Sequence, residues 1–94
     1  MFVIRNVFKC KPGQAKNVIG HFQKSMALME DVKHRILVDH VANFWTVVLE
    51  IETEDLSGYE QQLREYSERA DVQEAMSGYL DSVKSGKREN FRIV

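Results

Sequence analysis

Two β-type runs in the middle of the chain, residues 34–41 and 44–52, are joined at Ala42-Asn43 and carry charges that argue for one antiparallel register. If His40 lies opposite Trp45, then Arg35 falls opposite Glu50 and Lys33 opposite Glu52. Each such cross-strand pair contributes roughly 0.2 to 1 kcal/mol. Neighbours along a strand point to opposite faces, so the same register sorts the side chains. One face collects Ile36, Val38, His40, Trp45, Val47, Leu49 and Ile51. The other mixes Leu37, Val41, Phe44 and Val48 with Arg35, Asp39 and Glu50. Helices should cover the first face, and the second, too apolar for open water and too charged for a core, suits a partner sheet.

The flanking segments supply the remaining elements. Phe2 to Cys10 is rich in Val, Ile and Phe and stops at Lys11-Pro12-Gly13, the pattern of a strand and a turn. Ala15, Val18, Ile19, Phe22, Met26 and Met29 then recur at spacings of three and four, an amphipathic helix. Ser57-Gly58-Tyr59-Glu60 and Asp71-Val72-Gln73-Glu74 match the capping box, which predicts two helical pieces. Their stripes are Leu56, Tyr59, Leu63 and Tyr66, then Val72, Ala75, Met76, Tyr79 and Val83. Ser85-Gly86-Lys87 is expected to break the helix before a last strand over residues 88–94, with Arg88, Asn90 and Arg92 on one side. The order is βαββαβ: an α+β, ferredoxin-like arrangement with both helices on one face of a four-stranded antiparallel sheet.

Length and composition bound the rest. At 94 residues one core, and a single domain over residues 1–94, is expected. A domain this small hides only about 60% of its unfolded surface, which favours support from a partner subunit. Acids and bases nearly cancel at a formal net charge of -1, and no block of like charge stands out, so no nucleic acid or membrane surface is expected as partner. The lone Cys10 forms no internal disulfide and the start lacks a signal-peptide pattern, so a cytoplasmic location is expected.

Four residues stand out as site candidates. Asn6 alternates with Phe2, Ile4 and Phe8, the set expected under the helices, where a carboxamide must find a protein partner or await a ligand. His40, on the apolar face, could serve as a base if burial lowers its proton affinity, or could sit hydrogen-bonded at the rim of the core. Trp45 beside it could wall a flat aromatic ligand, and Tyr66 could direct a hydroxyl between helix and strand, against a default of core filling for both. His21, off its helix stripe, is read as surface. The scattered histidines and single cysteine lack metal-ligand spacing, and no nucleophile elbow, phosphate loop, dinucleotide fingerprint or RNA-stacking motif is present. No cofactor is expected.

The whole layout, from strand, Lys11-Pro12-Gly13 turn and helix through hairpin and broken second helix to the closing run Gly86-Lys87-Arg88-Glu89-Asn90-Phe91-Arg92-Ile93-Val94, resembles the dimeric α/β-barrel superfamily. That group includes antibiotic-biosynthesis-monooxygenase-like and NIPSNAP-like domains. The resemblance implies a homodimer built through the sheet face. In the group's haem-degrading monooxygenases an asparagine on the first strand belongs to the active site, and Asn6 matches it; the tryptophan and histidine of their second helical region have Tyr66 and Met76-Ser77 in their place here. Cofactor-free oxygenases of polycyclic phenols in the group imply another assignment: His40 as base, Asn6 on an oxyanion, Tyr66 orienting and Trp45 stacking. The readings carried forward are such a cofactor-independent, monooxygenase-like enzyme acting on a small aromatic or polycyclic substrate, a sensor or binding module that takes a small hydrophobic or aromatic ligand in the same pocket without chemistry, and a dimeric interaction domain.

Overall fold

The computed structural model describes residues 1–94. Its elements are β1 (Phe2–Cys10), α1 (Ala15–Leu28), β2 (His34–Val38), β3 (Thr46–Thr53), α2 (Leu56–Ser67), α3 (Ala70–Met76), a 3-10 turn (Tyr79–Ser82) and β4 (Val83–Arg92). The four strands form one antiparallel sheet in the order β2-β3-β1-β4. The molecule measures 36 × 35 × 18 Å, the shortest dimension being one sheet and one helical layer thick. One sheet face is therefore covered and the other is bare.

The charge-based register holds within the strands. Arg35 pairs with Glu50 across β2 and β3, and Lys33 Nζ lies 2.8 Å from Glu52 Oε2 just beyond the strand end. Arg5 on β1 adds a second guanidinium to Glu50 at 3.6 Å, which makes a three-strand ion triad on the bare face beside Val7, Leu37 and Val48. Ile4, Val47, Leu49 and Ile51 fill the covered face against Val18, Phe22 and Met26 of α1, as the helix stripe requires.

The hairpin is shorter than its residue types suggest. Asp39 donates its backbone N–H to the Thr46 carbonyl and accepts the Thr46 N–H on Oδ1, closing the ladder one step after Val38. Trp45 has φ +62°, a left-handed value that a strand interior does not accommodate. His40, Val41, Phe44 and Trp45 consequently form an exposed connection and do not extend the two strands.

The other corrections concern helix and strand ends. Neither capping box forms: α2 starts after Asp55 and α3 after Arg69, Ser57 lies within the first turn, and Asp71 accepts the Val72 N–H and pairs with Arg69. The break after α3 falls at Gly78, whose φ of +83° suits a residue without a Cβ. Tyr79 therefore sits in the 3-10 turn, and Val83 already belongs to β4. Gly86 is within that strand, opposite Phe8, where a Cβ would lie 3.3 Å from the Phe8 ring. Its role is close approach and not chain reversal.

Candidate functional site

The sequence places apolar stripes on both α1 and α2, but only α1 lies down on the sheet. Tyr59 is the one buried residue of α2, and that helix packs mainly against α3, standing off the strands. Between α2 and the sheet there is a cavity of about 330 Å³. Asn6, Phe8, Leu49 and Ile51 form its floor. Phe22, Met26 and Met29 supply the α1 wall, and Tyr59, Leu63 and Tyr66 the α2 side. Close packing is the rule in protein interiors, so an apolar space of this size, at the lower end of the range of small-molecule sites (about 300 to 1,000 Å³), is an unusual feature.

An aromatic cluster braces one end. The Phe8 and Phe22 rings have centroids 5.0 Å apart, and the Tyr79 ring meets them at 6.3 and 6.0 Å. At the opposite end Asp31, between α1 and β2, accepts hydrogen bonds from the Tyr66 hydroxyl and the Gln62 amide and so moors α2 over the cavity. The Tyr66 bond holds the Asp31 carboxyl below its usual range and raises the Tyr66 phenol. Because the folded-state value for Asp31 is depressed, its contribution is present above the ordinary carboxylate value, about 3.9, and is lost as pH falls through the depressed folded value. Asp31→Asn is therefore expected to lower the urea midpoint at pH 7, with the gap from the parent closing as pH falls through the depressed Asp31 value. A gap independent of pH would mean that the charge of Asp31 is not what moors the helix.

The four sequence candidates separate into two pairs. Asn6 and Tyr66 line the cavity. Asn6 is 7% exposed, and its Oδ1 accepts a 2.7 Å hydrogen bond from Nε of Arg88. His40 and Trp45 lie outside the lining: His40 is exposed and Trp45 is 40% exposed in the β2–β3 connection. The structure therefore does not bring the expected base and stacking residue to the cavity of the same chain, because the strands that would carry them end at Val38 and begin at Thr46. His21, expected at the surface, is half-buried, and its Nδ1 lies 2.9 Å from the Ala75 carbonyl, linking α1 to α3. Cys10 is fully buried, and that burial, more than the neighbouring Asp39, pushes its thiol up. It is a core residue and not a nucleophile.

Arg88 was not among the candidates, yet it is a lining residue. The signal was present in the register: Arg88 lies opposite Asn6 across β1 and β4, so the two side chains share a face.

No three histidine, cysteine or acidic side chains gather as a metal site. Haem, which the resemblance in sequence layout implies, finds no histidine ligand in this cavity. The lining has no imidazole or thiolate; its phenols are Tyr59, Tyr66 and Tyr79, of which Tyr66 is already bound to Asp31.

Comparison with solved structures matches the architecture along its whole length. A NIPSNAP domain protein from Burkholderia xenovorans superposes with a TM-score of 0.87 at 11% identity, over 100% of this chain and 95% of that one. The fold is that of the NIPSNAP and antibiotic-biosynthesis-monooxygenase-like proteins. A NIPSNAP family protein from Agrobacterium tumefaciens gives 0.86 at 9% identity over 99% and 92% of the two chains. A candidate antibiotic biosynthesis monooxygenase from Chloroflexus aurantiacus gives 0.75 at 12% identity, again over 99% and 92%. The sequence itself matches no family model and no curated protein. What the NIPSNAP-type fold contributes is a sheet with one covered face and the helical layer under which the cavity lies. No helix is long and apolar enough to cross a membrane.

Proposed function

We propose that this protein binds a small, largely apolar molecule in the cavity beneath α2. The observation that carries the reading is the cavity itself: an apolar stripe on α2, of the kind that normally packs onto a sheet, faces about 330 Å³ of unfilled space floored by Leu49 and Ile51. Three methionines, Met26, Met29 and Met76, line it, and their flexible thioether chains let such a site adjust to its occupant. Titration with the neutral dye N-phenyl-1-naphthylamine tests this. Saturable fluorescence enhancement with one site per chain is expected; a linear, unsaturated signal contradicts it.

A second reading, a cofactor-independent oxygenase, draws on the Asn6 amide in the floor of the cavity and on the fold shared with the candidate monooxygenase. In that reaction a base removes a phenolic proton and donors hold the oxyanion. Asn6 and Arg88 are suitable donors, but the lining contains no carboxylate or imidazole to act as base. Binding is therefore the better supported function, and oxygen consumption with a polycyclic phenol would reverse the order.

We further propose that two copies associate through the bare sheet face. Val3, Val7, Leu37 and Val48 lie there around Glu50, itself largely buried between Arg5 and Arg35. A second sheet would remove this mixed surface from water and add burial to a chain in which only 18 of 94 residues are buried. Sedimentation equilibrium should give twice the chain mass of 10.9 kDa; a monomer at micromolar concentration removes the proposal. The single buried cysteine suits a reducing compartment, and we place the protein in the cytoplasm.

A further inference from the structure

The cavity is largely apolar, and the charge on its wall has one sign. Among its lining residues Arg88 is the only side chain with a formal charge. No acid neutralises it there: its hydrogen bond goes through Nε to the uncharged Asn6 amide oxygen, and the two terminal nitrogens of this solvent-exposed guanidinium form no hydrogen bond within the protein, so they are free to take a ligand. The helix-side positions of β4 continue the pattern. Gly86, Arg88, Asn90 and Arg92 lie opposite Phe8, Asn6, Ile4 and Phe2, so this edge offers two guanidiniums and no carboxylate. Glu89 lies on the other face, 3.8 Å from Lys87.

Two further donors line the same cavity. Asn6 as a residue is only 7% exposed, and Arg88 occupies only its carboxamide oxygen. Its NH₂ group makes no hydrogen bond in the protein. With its oxygen held by Arg88, the amide keeps its N–H donors available to an occupant of the cavity. The Tyr59 hydroxyl is likewise without a protein partner. Burial raises its phenol more than the Arg88 charge lowers it, so at neutral pH it is an O–H donor.

Resting on the binding reading above, we propose that the occupant is an organic anion: its apolar body lies beneath α2 and its carboxylate or equivalent oxyanion head is held by Arg88, Asn6 and Tyr59. A guanidinium fork with spare nitrogens matches a carboxylate's two oxygens, and charge-assisted hydrogen bonds of this kind are about twice as strong as neutral ones. A neutral molecule would leave those donors to water, and a cation would meet Arg88 with nothing to offset it.

Calorimetric titration with 2-naphthoate and decanoate, each beside its uncharged amide, separates the two levels of the proposal. The wild-type protein is expected to bind at least one carboxylate about tenfold or more tighter than the matching amide. Arg88→Met, which keeps the chain length on an exposed edge strand, should bring acid and amide to equal affinity. Equal affinity for acid and amide in the wild-type protein, or a preference that survives Arg88→Met, overturns the anion inference and leaves the binding reading standing. Binding of none of the four overturns both. The wild-type comparison decides the matter even where the variant fails to fold.

Discussion

Replacing Phe22 by alanine is expected to lower stability by about 3 to 5 kcal/mol, a large share of the roughly 5 to 15 kcal/mol that holds a domain of this kind together. Phe22 is 2% exposed, on the inner stripe of α1, and its ring meets Phe8 of β1 and Tyr79 of the 3-10 turn. Deleting it removes the transfer free energy of the ring and disconnects three elements at once. The surroundings are poorly placed to collapse, since the side chain already borders the cavity and its removal enlarges an existing void. A fall in Tm of about 12 °C or more follows from the entropy of unfolding of a chain this size. Urea unfolding of the parent, Phe22→Ala and Phe22→Leu checks it, the leucine variant recovering most of the loss. A cost below about 1 kcal/mol for the alanine variant would mean that the aromatic cluster does not join the layers.

The second large effect is on binding. Leu63→Trp should reduce dye affinity by about thirtyfold or more with little change in folding, because a larger side chain projects from α2 into space that is already open. Leu63 is half-buried and lines the cavity from the helix that stands off the sheet, so an indole can extend inward without displacing a packed strand residue. Overpacking in a filled core costs about 1 to 3 kcal/mol, whereas occupying an existing void need not. The two variants therefore have opposite signatures: Phe22→Ala loses stability, and Leu63→Trp loses the site. Unchanged dye affinity in a folded Leu63→Trp would place the dye elsewhere.

The legibility of the chain followed how locally each feature is encoded. β1 and α1 were readable to the residue or nearly so, because an unbroken alternation ends at a Pro-Gly turn and a strict three-four stripe begins. The Arg35–Glu50 pairing was readable because charges on an antiparallel ladder must match. Residue type misled at the hairpin: Val41, Phe44 and Trp45 favour strands, but Asp39 closes the ladder by bonding Thr46, a side-chain choice that propensity does not register. Gly86 looks like a breaker because a glycine's need for close packing and its freedom to turn look alike in a sequence, and only the Phe8 ring opposite it distinguishes them. Of the site, Asn6 was legible as a polar break in an apolar alternation, and Arg88 was not, since it belongs to the cavity only through the β1–β4 register.

The cavity depends on the distance between α2 and the sheet, which no local pattern records, and its occupancy is the central claim. Methyl NMR of the methionines tests it most directly. Met26, Met29 and Met76 line the cavity, and Met1 is exposed at the chain start, away from it. On addition of 2-naphthoate the three lining methyls are expected to shift in a saturable way while Met1 stays in place. A Met1 shift alone, or no shift at all for the lining methyls at millimolar ligand, would contradict a binding site beneath α2.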